Sequence, residues 1–149
     1  MPPVAPTPDA LDPLLLAAGA LSACAALLHV GCIVFGASWY RFFGAGERLA
    51  RAAERGEAMP ALVTSGIVLV LAAWAAFAWS GAGLVPALPL RRATLVAITA
   101  VYLVRGLVPV PVIALRAGRV PAFWWWSSAI CLGFGLVHLA AVGRAWDRL

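Results

Sequence analysis

Three ionisable side chains lie deep inside otherwise apolar stretches of this chain: His29, Arg105 and His138. An ionisable group in a long apolar run is costly to place, so each is a candidate for function. A guanidinium in such surroundings suits an anion, a carboxylate or carbonyl oxygens. Two imidazoles suit a shared haem or metal, or a general base. Weaker polar groups accompany them. Tyr102 stands one turn before Arg105 on the same helical face, and Ser127, Ser128, Thr64 and Ser65 sit in other apolar runs.

Established catalytic patterns are missing. The chain has no G-x-S-x-G, no H-E-x-x-H, no phosphate-binding Gly-Lys-Ser and no paired carboxylates within the apolar runs. Cys24, Cys32 and Cys131 form no C-x-x-C pair and no zinc spacing, and read as small hydrophobes. No cofactor or metal is expected. A membrane enzyme using His29 as a base remains a third reading, without a substrate to nominate.

The elements that must position these groups follow from composition. Of 149 residues, 64% are hydrophobic and 11% are charged, with a mean hydropathy of +0.96. A soluble domain carries about 25% charge, so too few polar side chains exist to coat a water-facing globule. Lys, Asn and Gln are absent, and the Arg-only, Ala-rich usage reads as the coding bias of a GC-rich bacterial genome. Net charge is +5. The Arg residues are dispersed among short loops rather than gathered in a patch, which argues against a nucleic-acid partner.

Four apolar runs have membrane-spanning length, at about 14–35, 60–79, 93–115 and 122–143. Each is close to the ~20 residues that a 30 Å hydrocarbon core requires. Trp39, Trp79, Trp124 to Trp126 and Trp146 mark their ends, as interfacial aromatics do. The expected fold is all-α: a four-transmembrane-helix bundle at 13–146 with a short interfacial helix in the first loop. Residues 1–12 read as a disordered Pro-rich tail. In the first loop Glu47 faces Arg51 at i,i+4, and Leu49, Ala52 and Ala53 make a narrow apolar face.

With four spans, Arg41, Arg48, Arg51, Arg55, Arg116 and Arg119 share one side, against Arg91, Arg92, Arg144 and Arg148 on the other. That bias places both termini in the periplasm of a bacterial inner membrane.

Depth then sorts the candidates. His29 lies ~9 Å from one surface and His138 ~8 Å from the other, leaving ~13 Å between them along the normal. One iron cannot bridge that gap, so a shared haem or metal is excluded in this topology. Arg105 lies about 13 residues into the third run, ~20 Å along the helix. Its charge there costs roughly 2.5–3.5 kcal/mol unless it faces the bundle interior or snorkels past Pro109 and Pro111 to the headgroups. His29, Arg105, Tyr102, Ser127 and Ser128 share the half of the membrane beside the first loop. Glu47 could fold down to neutralise Arg105 and close a polar pocket. The expected ligand is a small anion or a lipid headgroup, bound by His29, Glu47, Tyr102, Arg105, Ser127 and Ser128.

The alternative is an interaction subunit. Ser22, Ala25, Ala26, His29 and Cys32 on the first helix, and Ser127, Cys131, Gly135 and His138 on the fourth, form small and polar stripes suited to close packing. A partner membrane subunit or a second copy would be the occupant.

The strings Tyr40 to Glu47 (YRFFGAGE), Ser80 to Gly83 (SGAG), Tyr102 with Arg105-Gly106, and Ser127-Ser128 resemble those of small uncharacterised bacterial four-helix integral membrane proteins. The likeness implies location and architecture, and no activity. Sterol-isomerase and sigma-2-like four-span proteins are a poorer match, because their cavities use acidic residues in the spans.

Overall fold

The computed structural model describes residues 11–108 and 122–149. Those residues are all-helical, without a strand. The first long helix, α1 (Pro13–Phe35), begins where Asp12 accepts hydrogen bonds from the Leu14 and Leu15 amides at 3.0 and 3.1 Å, with Pro13 supplying a first-turn φ. It stops at Gly36, whose φ of +67° is open to glycine at little cost. Two short helices then occupy the first loop, α2 (Ala37–Phe42) and α3 (Glu47–Glu54), joined through Gly44 and Gly46 at positive φ. Next come α4 (Met59–Gly81), with Pro60 in its first turn, then α5 (Arg91–Leu107) and α6 (Ala122–Ala145). A 3-10 turn follows at Trp146–Arg148.

Among the described residues three helices are long and apolar enough to cross a membrane: Pro13–Phe35, Met59–Gly81 and the stretch Phe123–Arg148. They match the first, second and fourth expected runs. The third run is seen only in part. The described residues of α5 cover 17 positions, and Pro109, Pro111 and the rest of 109–121 lie outside them. Leucines and valines such as Leu27, Val34, Leu62 and Leu69 stand outward, each about 70% exposed. A surface this apolar fits lipid rather than water.

The helices associate as two close pairs. On α1, Gly19 faces the Trp79 indole of α4, and α1 packs chiefly on α4. On α5, a Cβ at Gly106 would lie 2.7 Å from the Leu132 backbone nitrogen of α6, so only glycine permits that approach. The pairs meet mainly in the half remote from the first loop, where Leu15, Ala18, Ala78, Leu95, Ile98 and Ala141 form the core.

That remote end is held by polar ties. Asp12 is 3% exposed and accepts from Arg148 at 2.7 Å, while its own amide donates to Ala82 O. Arg91 and Arg92 donate to the carbonyls of Arg148 and Trp146 at 2.6 and 2.9 Å, and the Arg92 guanidinium lies over the Trp146 ring. Asp12 is therefore part of the fold rather than of a loose tail. A buried carboxylate that caps a helix and meets a guanidinium has three ordered donors to keep it in place, the Leu14 and Leu15 amides and Arg148.

Candidate functional site

The two helix pairs separate toward the first loop, and a cavity of about 800 Å³ lies between them. Its walls come from α1 (Cys24, Ala25, Leu28, His29, Cys32), α4 (Ile67, Leu71), α5 (Tyr102, Arg105) and α6 (Trp126, Ser127, Ile130, Cys131, Phe134). Phe42 and Phe43 from the first loop and Phe123 complete it. The volume falls within the range of small-molecule sites, mostly apolar with a few polar groups.

Arg105 is the cationic group of this wall. Its guanidinium donates to Ser127 Oγ at 3.2 Å and makes a long 3.5 Å contact to Ser128 Oγ. Both serines lie in the first two turns of α6, so the depth matching read from sequence brings these three side chains together. Arg105 itself stays accessible. Serine hydroxyls are neutral, so these two contacts leave the charge uncompensated. The chain's acidic residues are Asp9, Asp12, Glu47, Glu54, Glu57 and Asp147. Among the described residues none of them forms an ion pair with Arg105.

Glu47 does not join the site. It accepts from Arg41 Nε and Nη2 at 3.0 and 2.9 Å and from Arg51 Nε at 3.1 Å. Arg41 also reaches Glu54 at 2.6 Å. The forked guanidinium beside Glu47 holds its carboxyl at about 2, well below the usual range. The expected move to Arg105 fails because a bidentate partner is available locally, on a surface where no burial cost must be met. The i,i+4 contact to Arg51 is as the spacing predicts. The inward face of α3 is Ala50 and Ala52, with Leu49 and Ala53 partly covered.

Tyr102 forms the floor. It is buried, its hydroxyl lies 3.0 Å from Ser22 Oγ on α1, and its ring meets Trp74, Phe134 and His138 at 5.0–5.6 Å. His29 lines the α1 wall. Its Nδ1 is 2.7 Å from the Ala25 carbonyl, which can only accept, so Nδ1 carries the proton and Nε2 is the free nitrogen. His138 is fully buried beneath the floor, with Nδ1 donating to Phe134 O at 2.9 Å and Nε2 without a partner among the described residues.

The roof is built by the first loop. Gly44, at φ +62°, lies against the Phe123 ring of α6 where a side chain would collide. Below it the buried Tyr40 hydroxyl meets Thr64 Oγ1 of α4 at 3.1 Å. Since Thr64 donates to Pro60 O at 2.8 Å, Tyr40 is the donor.

No family model, annotated protein or solved structure matches this chain. The reading of the site therefore rests on its geometry.

Sequence reasoning missed two parts of this wall. The cysteines read as packing residues, yet all three are free and line the cavity. The aromatics Phe42, Phe43 and Phe123 carried no site reading in the sequence. Their spacing offered a signal, because Cys24, Leu28 and Cys32 recur on the face that carries His29. Among the described residues no group of three or more metal-ligating side chains gathers.

Proposed function

We propose that this is a small multi-pass membrane protein of four transmembrane helices whose intramembrane cavity binds a small anionic or lipid-headgroup ligand. One observation carries the reading. Among the described residues Arg105, on the wall of a largely apolar cavity, has hydroxyl partners only, while the carboxylates of the first loop and of Asp12 are engaged with other arginines. In a low-dielectric setting an uncompensated guanidinium favours an anion strongly. The Ser127 hydroxyl stands beside the guanidinium as a further contact for the anion, and His29 Nε2, which carries no proton, can accept from a hydroxyl of the ligand.

The α5 helix belongs to the third span in this proposal, the expected run at about 93–115, whose later part lies outside the described residues. The first-loop helices lie at the membrane surface, with Phe42 and the arginines at headgroup depth. The excess of arginines in the first and third loops supports an orientation with that side in the cytoplasm of a bacterial cell and both termini outside.

The interaction-subunit reading needs its small-residue stripes to face outward. Ser22, Ala26 and His138 are instead buried within the chain's own packing, and Gly135 meets Leu103. The ligand reading is favoured for that reason.

The test is Arg105→Leu, compared with the native protein after purification in a neutral maltoside detergent. Mass spectrometry of the extracted small molecules should find an anionic species retained by the native protein and lost from the variant. If Arg105→Leu inserts normally, melts at the same temperature and retains the same molecules, the proposal is wrong.

A further inference from the structure

The cavity wall changes character with depth. Arg105 and Ser127 meet at one level. One turn further from the first loop the wall becomes Tyr102 on α5 and Cys131 on α6. Phe134 lies deeper still, about 10 Å below Ser127 by the helical rise. The end is closed, because Tyr102 is 5% exposed and its hydroxyl is already bonded to Ser22. Above Arg105 the wall is again apolar, through Phe43 and Phe123. The cavity thus presents one polar level and a blind apolar pouch beneath it.

A bare inorganic anion would meet the guanidinium and leave the pouch unused. A neutral hydrocarbon would fill the pouch and leave the charge unmatched. We infer that the ligand is an oxyanion carried on an apolar body. Its carboxylate or phosphate head meets Arg105 and Ser127, and its apolar part runs down toward Tyr102 and Phe134. Such a molecule has two sources, a free hydrophobic acid or an anionic membrane lipid lending one chain. This inference rests on the anion-site reading above and adds the apolar half of the ligand.

The test is photocrosslinking in phosphatidylcholine nanodiscs, using a decanoate analogue with a diazirine near its methyl end. The expected adducts map to the pouch, at Tyr102, Cys131 or Phe134. Unlabelled decanoate should suppress them, while acetate and inorganic phosphate at the same concentration should not. Arg105→Gln should lower the yield about tenfold or more, the loss expected when a charge-assisted hydrogen bond is removed. Ser127→Ala, a milder change, should lower it severalfold and covers the case in which Arg105→Gln fails to fold. Nanodiscs containing phosphatidylglycerol separate the sources. Suppression by that lipid assigns the head to a bilayer lipid, and unchanged labelling assigns it to a free acid; either outcome supports the ligand class. Suppression by acetate or phosphate as strong as that by decanoate would overturn the amphiphile inference while leaving an anion site. Adducts confined to the outer helix faces, unaffected by Ser127→Ala and by Arg105→Gln, would overturn both.

Discussion

Ser22 on α1 and Tyr102 on α5 share a 3.0 Å hydrogen bond, which joins the two helix pairs at the floor of the cavity beside the ring contact of Tyr102 with Trp74 of α4. Ser22 is fully buried, so its hydroxyl has no water to turn to. Breaking the bond from one side leaves a buried polar group unmatched, which is worse than removing both partners. Tyr102→Phe and Ser22→Ala should each destabilise the protein, and the double variant should recover part of the loss. The coupling expected from a thermodynamic cycle in detergent is about 0.6 kcal/mol, with an upper bound near 1.7, the range for hydrogen bonds between membrane helices. A coupling indistinguishable from zero would mean that the floor is held by ring packing alone.

The approach of α5 to α6 depends on Gly106. An alanine Cβ there would press on the Leu132 backbone nitrogen and Cα at 2.7 and 2.8 Å, and backbone cannot swing aside as a side chain end can. Gly106→Ala should therefore cost about 1–3 kcal/mol, as overpacking does. Gly133→Ala on α6 meets nothing within 4 Å and should be neutral or stabilising by up to about 1 kcal/mol, because helical glycine is entropically costly. Equal melting temperatures for the two variants would contradict the close crossing.

Asp12 ties the start of α1 to Arg148 and caps the helix with the same carboxylate. Burial pushes its pKa up, but the amide of Leu15, the Arg148 guanidinium and the amide of Leu14 together bring it below the ordinary value. Asp12→Ala should cost about 1–2 kcal/mol, chiefly through the lost cap. Asp12→Asn keeps the capping oxygen and loses the charge, so it should retain most of that stability. Should Asp12→Asn be as damaging as Asp12→Ala, the ion pair rather than the cap dominates.

The first loop should respond to acid. The Glu47 carboxyl is lowered from 4.5 to about 2 by Arg41 first and by Arg51. Its contribution is fully present above pH 4.5 and is lost as pH falls toward 2, because protonation removes the acceptor from the Arg41 fork. Glu54, lowered by the same arginine, follows in the same direction. Hydrogen exchange of the α3 amides should be flat from pH 5 to 7 once corrected for intrinsic rates, and protection should fall below pH 4. These groups are exposed, so raised salt should blunt the effect. Unchanged protection at pH 2.5 would remove the ion network from the list of what holds α3.

Much of this arrangement is legible in the chain. Composition and run length identify the apolar helices because lipid demands a continuous apolar exterior of set length, a one-dimensional property. Run boundaries agree with Pro13–Phe35, Met59–Gly81 and Ala122–Ala145 to within a turn, since Asp12, Pro60 and Gly36 act locally. Depth is also linear along a helix, and so Arg105 could be matched to Ser127 and Ser128 before any fold was known.

Rotation and partner choice are not linear. Whether Arg105 meets a serine or Glu47 depends on which faces of α5 and α6 are turned together, and Gly106 against Leu132 decides that in three dimensions. Glu47 went elsewhere because Arg41 and Arg51 were nearer through the turn at Gly44, a short-range competition that spacing alone does not rank. The cavity is likewise a property of divergence between helix pairs. Close glycine contacts within each pair and a shared core at one end leave the other end open, and no single residue encodes that space.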